Sequence, residues 1–168
     1  IDNIIVLESV ASTNDYVKIL LSNFKPLQPF TAIMAKEQTQ GRGQRGSTWQ
    51  SMKGKNLTTS FVYSPENLQI SDQFILTIIS SLSVYDVVEH LQSNIVSIKW
   101  PNDIYVFDKK IAGILIENKI SGKHIKHAII TLLIIRGAPV IMSLSIEQRY
   151  ITSKRIDRVF YEGDKTLY

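Results

Sequence analysis

Cysteine is absent from the 168 residues. Disulfides, thiolate nucleophiles and cysteine-bearing metal sites are excluded with it, and the absence fits the reducing cytoplasm. Charge of one sign is not in large excess. Nineteen Lys and Arg face fifteen Asp and Glu, a net charge of +4, which alone does not point to nucleic acid. An uninterrupted apolar run of membrane length is also missing: Phe74 to Leu91 is broken by Asp86, Glu89, His90 and several serines, so no membrane partner is expected. No signal peptide is visible, and because Ile1 is not an initiator Met the N-terminus reads as trimmed. His90, His124 and His127 lack metal-ligand spacing with carboxylates and read as surface or structural. Glycine is sparse, eight in all, which makes any cluster of it informative. The remaining composition, 44% hydrophobic and 20% charged, is that of one ordinary globular domain with a real core.

The apolar run Ile4-Ile5-Val6-Leu7 predicts a strand. Ser12-Thr13-Asn14 supplies helix N-cap chemistry, and Tyr16, Val17, Ile19, Leu20, Leu21 and Phe24 follow at helical spacing up to Pro26. Thr31–Ala35 predicts a buried strand. Gln38 to Asn56 is polar, glycine-rich and without period, and reads as a structureless loop, either functional or disordered. Leu57–Tyr63 predicts a strand. Ser71 is expected to cap a long, mostly buried helix whose core face is Phe74, Ile75, Ile78, Leu82, Tyr85, Val88 and Leu91. Strands at 95–100, 104–106, 111–120 and 125–135 are joined by short turns, which implies antiparallel pairing. Two helices beside such a sheet make an α+β fold.

Three segments carry chemistry. Gly41-Arg42-Gly43-Gln44-Arg45-Gly46, with Trp49 just beyond, puts three glycines and two arginines in six residues. Glycine lets backbone N–H groups approach a ligand, and arginine offers a fork of donors for carboxylate and phosphate. The segment is neither a GxxxxGK[ST] phosphate loop nor a dinucleotide fingerprint, since a strand follows it. On composition alone, an anion-closing loop and a solvated basic hairpin tip are equally good readings. Lys99-Trp100-Pro101-Asn102-Asp103 brings a cation, an amide and a carboxylate to the mouth of two strands. Asn102 and Asp103 suit Mg²⁺ with its waters; the plainer reading is an Asx turn with a core Trp. Lys110 precedes the strand Ile111–Glu117 and is either a pocket ammonium or, like Lys109, an ordinary turn lysine. Ser12, Thr13 and Asn14 need only one hydroxyl for capping. Gln38 is a neutral donor and acceptor suited to an amide-like group. Together the segments suggest activation of a carboxylic acid with ATP.

In this order and spacing, Ser12-Thr13-Asn14, Gln38, Gly41–Gly46 with Trp49, Gly54-Lys55-Asn56-Leu57, Lys99–Asp103 and Lys110–Glu117 resemble the catalytic domain of biotin–protein ligases, the biotin–(acetyl-CoA-carboxylase) ligases, over roughly residues 4–130. The resemblance implies a mixed, mainly antiparallel sheet with helices on one face, of the class II synthetase-like, biotin/lipoate ligase type. It implies that biotin and ATP, with Mg²⁺, give biotinyl-5′-AMP, and that biotin then passes to one lysine of a biotin carboxyl carrier protein in the cytoplasm. Ser12, Thr13, Gln38, Gly41, Arg42 and Lys110 would bind biotin. Gly43, Gln44, Arg45, Gly46, Trp49, Asn56, Lys99 and Asn102 would bind ATP, with Mg²⁺ near Asn102 and Asp103. Lys110, Arg42 and Asp103 would be catalytic. A homodimer is compatible with this reading; DNA is not an expected partner. A lipoate- or octanoate-transferring relative, a non-catalytic biotin-binding module and a basic RNA-binding domain are the alternatives. The last lacks basic and aromatic residues interleaved on strands.

Two departures stand out. Gln44 occupies a loop position where many relatives carry arginine, and an amide cannot pair with an anion. Beyond Ile130 the family's glycine–asparagine strand is replaced by Thr131-Leu132-Leu133-Ile134-Ile135-Arg136-Gly137-Ala138-Pro139, which reads either as a truncated, impaired protein or, the favoured reading, as a chain with stretches missing. Residues 1–145 are expected to form the catalytic domain and 146–168 a remnant of a small C-terminal β domain.

Overall fold

The computed structural model describes residues 3–23, 27–28, 30–49, 52–91 and 95–135. The expected C-terminal remnant, and all of the altered tail past Ile135, lie outside them. Among the described residues, nine strands and two α-helices follow in the order β1 (Ile4–Leu7), α1 (Thr13–Ser22), β2 (Ala32–Ala35), β3 (Gly41–Arg42), β4 (Thr48–Trp49), β5 (Leu57–Tyr63), α2 (Phe74–Leu91), β6 (Val96–Lys99), β7 (Asp103–Val106), β8 (Lys109–Ser121) and β9 (His124–Ile134). Seven of the strands form a sheet in the order β1-β2-β5-β9-β8-β7-β6. Strands β1 and β2 run parallel; β2–β5, β5–β9, β6–β7 and β7–β8 are antiparallel. The mixed, mainly antiparallel α+β fold is as the sequence predicts.

The described residues divide into two compact units: one runs to Gln73 and resumes at Leu115–Ile134, and the other holds Phe74–Ile114 with Ile135. In the first, the Ser12 hydroxyl caps α1 by accepting from the Asp15 N–H. Val17 of α1 then packs with Ile33, Val62 and Ile129, each essentially buried; at about 1.5–3 kcal/mol for each such side chain, this cluster fixes α1 to the sheet. Strand β5 is buried along its whole length. Its register with β9 sets Ser60 directly opposite Thr131.

His127 of β9 receives or donates a hydrogen bond at Nδ1 with the Ser64 hydroxyl, 2.7 Å away. Burial, reinforced by the positive charges of Lys126 and Lys119, holds its pKa below the usual imidazole value. The unfolded chain therefore binds the proton first as pH falls. The contribution of His127 to stability is fully present above the ordinary imidazole pKa of about 6.5 and is lost as pH falls below it through the lower folded value. Thermal melts at pH 7.5 and 5.5 are expected to show a larger loss for the native protein than for His127→Gln; equal losses remove His127 as the cause.

The second unit corrects two expectations for α2. Ser71 lies in a 3₁₀ turn, Ile70–Asp72, and its hydroxyl donates to the Asp72 carboxylate, so it does not cap the helix. The buried positions are Leu76, Ser80, Ser81, Ser83, Val84, Val87 and Val88, whereas Phe74 and Leu82, assigned to the core face, are 45% and 48% exposed. Up to Tyr85 the helix is apolar and interrupted only by serine and threonine, so its first three turns have no distinctive stripe. Serine is small, and the Ser80 and Ser83 hydroxyls return to the carbonyls of Leu76 and Ile79. These hydroxyls satisfy themselves locally and can be buried cheaply.

Candidate functional site

In the first unit an open cleft of about 1250 Å³ is lined by Glu37–Gly43, Gly46–Trp49, Met52, Leu115 and Glu117; of the residues singled out from sequence, Gln38, Gly41, Arg42, Gly43, Gly46 and Trp49 are among them, and Ser12, Thr13, Gln44, Arg45 and Asn56 are not. The predicted structureless loop is partly ordered. Strands β3 and β4 pair as a two-stranded ribbon, Gly41 with Trp49 and Arg42 with Thr48, closed by a 3₁₀ turn at Gln44–Gly46. Residues this polar carry no period, so only pairing geometry reveals the ribbon. Gly46 has φ +78°, where a side chain would be strained. Gly41 is constrained by space: a Cβ there would lie 2.3 Å from the Trp49 carbonyl oxygen and 2.6 Å from Gln38 Nε2.

Thr13 and Gln38, 25 residues apart, are joined. The Thr13 backbone N–H and hydroxyl both donate to Gln38 Oε1, at 2.9 and 3.1 Å. The Ser60 hydroxyl donates to Thr13 Oγ1 at 2.8 Å and pairs with Thr131 Oγ1 at 2.8 Å. Ser12, Thr13, Gln38, Ser60 and Thr131 are all buried. Arg42 reaches from the ribbon to α1, with Nη2 2.8 Å from Asp15 Oδ2. Lys18 lies 3.5 Å from the other Asp15 oxygen and 2.7 Å from Glu117 Oε2. Gln44 is exposed, Trp49 and Asn56 are partly buried, and Arg45 contributes its backbone to the 3₁₀ turn.

The second unit brings together Lys99, Asn102, Asp103 and Lys110. Asn102 is clamped onto β8, its Nδ2 donating to the Ile114 carbonyl and its own carbonyl accepting from the Ile114 N–H. This clamp fixes Asp103, opposite Gly113 in the β7–β8 register. Lys110 Nζ lies 2.7 Å from Asp103 Oδ1, both side chains about three-quarters buried. Lys110 is therefore a strand residue with a partly enclosed, paired ammonium. Lys99 sits over the Tyr105 ring, 5.5 Å from its centroid. Trp100 is 64% exposed and meets Phe74 edge-on, so the core-Trp alternative for this turn does not hold. Among the described residues no three His, Cys, Asp or Glu side chains are grouped to hold a metal, and no helix is long and apolar enough to cross a membrane.

Sequence reasoning missed Asp15, Lys18, Ser60 and Thr131. The signal was present for Ser60, which ends three consecutive hydroxyl residues, Thr58-Thr59-Ser60, in an otherwise apolar strand, and for Thr131, the lone polar residue of the apolar run Ala128–Ile135. Asp15 and Lys18 look like the polar face of any helix.

Known proteins similar to this chain fall in one family. The bifunctional ligase/repressor BirA of Salmonella typhimurium is 36% identical over 121 residues, covering 72% of this chain and 36% of that protein. The chain thus spans little more than a third of this relative's length. Biotin protein ligase from Leishmania major, solved with biotin, superposes with a TM-score of 0.73 at 25% identity, over 94% of this chain and 73% of that one. The Aquifex aeolicus biotin protein ligase, solved with biotin and ATP, gives 0.70 at 27% identity, over 98% and 71%. Residues 6–134 match the family description itself, and the chain belongs to the biotin/lipoate A/B protein ligase family.

Proposed function

We propose that the protein activates biotin with ATP to biotinyl-5′-AMP and transfers the biotinyl group to a lysine of a biotin carboxyl carrier protein in the cytoplasm, with residues 1–145 carrying the chemistry. The observation that carries this reading is Gln38, held by Thr13 at the wall of a cleft that the glycine–arginine ribbon borders. An amide fixed this way suits a urea-like head, and a cleft somewhat larger than the usual 300–1,000 Å³ suits an elongated ligand.

Ser12, Thr13 and Gln38 would hold the biotin head, with Gly41 leaving room for it. Arg42 would exchange Asp15 for the ligand's anionic groups, and Gly43–Gly46 with Trp49 and Asn56 would cover the nucleotide. Lys110 would neutralise the biotin carboxylate and the α-phosphate as they approach; two unit charges at 4 Å interact by about 4 kcal/mol at an effective dielectric near 20. Lys99 and Asn102 would sit by the phosphates. The donor set of Asn102 and Asp103, one amide and one carboxylate, fits a Mg²⁺ that takes most of its ligands from phosphate and water. Such an ion would offset phosphate charge. In the second half-reaction Asp103 would orient the acceptor lysine. A ribbon closed over the mixed anhydride would exclude water.

The test is release of pyrophosphate from ATP on addition of biotin, compared with lipoate, followed by labelling of a biotin-accepting carrier domain. Turnover with lipoate alone would move the protein to the other branch of the family; binding of biotin without pyrophosphate release would make it a binding module. Gln44 supplies a further prediction. A neutral amide grips an adenylate less firmly than a guanidinium, so Gln44→Arg is expected to slow escape of biotinyl-AMP about tenfold in a filter-binding chase. An unchanged escape rate would show that position 44 does not touch the intermediate.

A further inference from the structure

The hydrogen bonds around Gln38 have a direction. A backbone N–H can only donate, so the side-chain atom facing Thr13 N is the amide oxygen, and the amide's orientation follows from its partner. The Thr13 hydroxyl spends its single proton on the same oxygen. Thr13 Oγ1 in turn accepts from Ser60, whose single proton is thereby used. The Ser60–Thr131 pair, ambiguous in isolation, must then run from Thr131 to Ser60. The chain is Thr131 to Ser60 to Thr13 to Gln38 Oε1, with every proton assigned. Both lone-pair directions of Oε1 are occupied. What remains of the amide is Nε2, beside Gly41 at the cleft, and Nε2 can only donate.

We propose that Ser60 and Thr131 are positioning residues that hold the Gln38 amide with its oxygen inward and its NH₂ toward the cleft, so that the site selects a ligand head presenting a hydrogen-bond acceptor, such as a urea oxygen, over one presenting only donors or only sulfur. This rests on the biotin reading above and specifies its recognition step. A site built around a fixed, buried donor rejects a ligand that cannot pair with it, because the donor is then stranded without water. The register supports the role of the relay: Ser60 and Thr131 face each other across β5 and β9, two strands buried around this position, so the far end of the chain is anchored in the sheet.

Calorimetric binding of biotin and of 2-iminobiotin, the latter at a pH where its head is protonated and carries only donors, tests this on the full-length protein. Gln38→Glu keeps the inward oxygen acceptor and removes the outward donor. It is expected to weaken biotin by about 100-fold or more and to favour protonated iminobiotin. Thr131→Ser retains the hydroxyl and is expected to match the native protein. Thr131→Val, nearly isosteric, and Ser60→Ala are expected to raise the KM for biotin about 3- to 20-fold with kcat within about twofold, a split that general loss of fold would not give. If Gln38→Glu binds biotin as the native protein does, the amide faces the other way and the proposal fails. If Thr131→Val and Thr131→Ser are indistinguishable, the relay has no part in recognition. A native protein that does not bind biotin at all overturns the substrate reading together with this one, whereas failure of the variants alone leaves the substrate reading standing.

Discussion

Lys110→Ala is expected to lower the rate of biotinyl-AMP formation by about 10³-fold while leaving the protein folded. The cause is electrostatic. Adenylation drives a carboxylate against a triphosphate, and charge grows on phosphorus as the bond forms. A fixed cation at that point is worth about 4 kcal/mol at an effective dielectric near 20, and loss of a single preorganised donor commonly costs about 10²–10³ in rate. Lys110 is suited to the task because its ammonium is already placed: it is paired with Asp103 at 2.7 Å and about three-quarters buried. Asp103 is itself fixed by the Asn102 clamp on β8. Single-turnover release of pyrophosphate measures the step, and circular dichroism reports the fold. A fall below tenfold would mean that Lys110 only serves its ion pair and that another cation meets the reacting carboxylate.

Gly41→Ala is expected to cost on the order of 100-fold in kcat/KM for biotin, with a melting temperature within about 4 °C of the native value. The added methyl would sit 2.3 Å from the Trp49 carbonyl oxygen and 2.6 Å from Gln38 Nε2. The first contact is with backbone, so the two-residue strands β3 and β4 must part; the second displaces the amide that the relay positions. Because the ribbon stands outside the main sheet, the damage stays local and shows in the site more than in stability. Gly46→Ala is the control. Nothing lies within 4 Å of a Cβ there, and its φ of +78° costs on the order of 1 kcal/mol. Equal losses from the two substitutions would sink the steric account and leave only loop flexibility.

The strands were legible as apolar runs bounded by polar or turn residues, and the first helix by its spacing. Ile4–Leu7, Leu57–Tyr63 and the long β8 and β9 fall within a residue or two of expectation. The helix from Thr13 is capped by Ser12 as its hydroxyl suggests. The core face of α2 was not legible, because serines that bond their own helix carbonyls can replace apolar residues inside. The ribbon was hidden because a two-residue pairing leaves no pattern. Within the site, the grouping of Ser12, Thr13 and Gln38, and separately of Asn102, Asp103 and Lys110, was readable from residue type and order. The partners were not. Asp15 of α1 holds Arg42 of the ribbon, two segments distant in sequence, and Ser60 meets Thr131 only through strand register, which no single segment encodes.

The Ser60–Thr131 pairing makes recognition and architecture share the same atoms. Retuning this protein for a cargo with a different head group will therefore not succeed by exchanging cleft residues alone. The interior of two neighbouring strands would have to be rewritten with them, and variants that broaden substrate range at these two positions should arise together with compensating changes in the sheet.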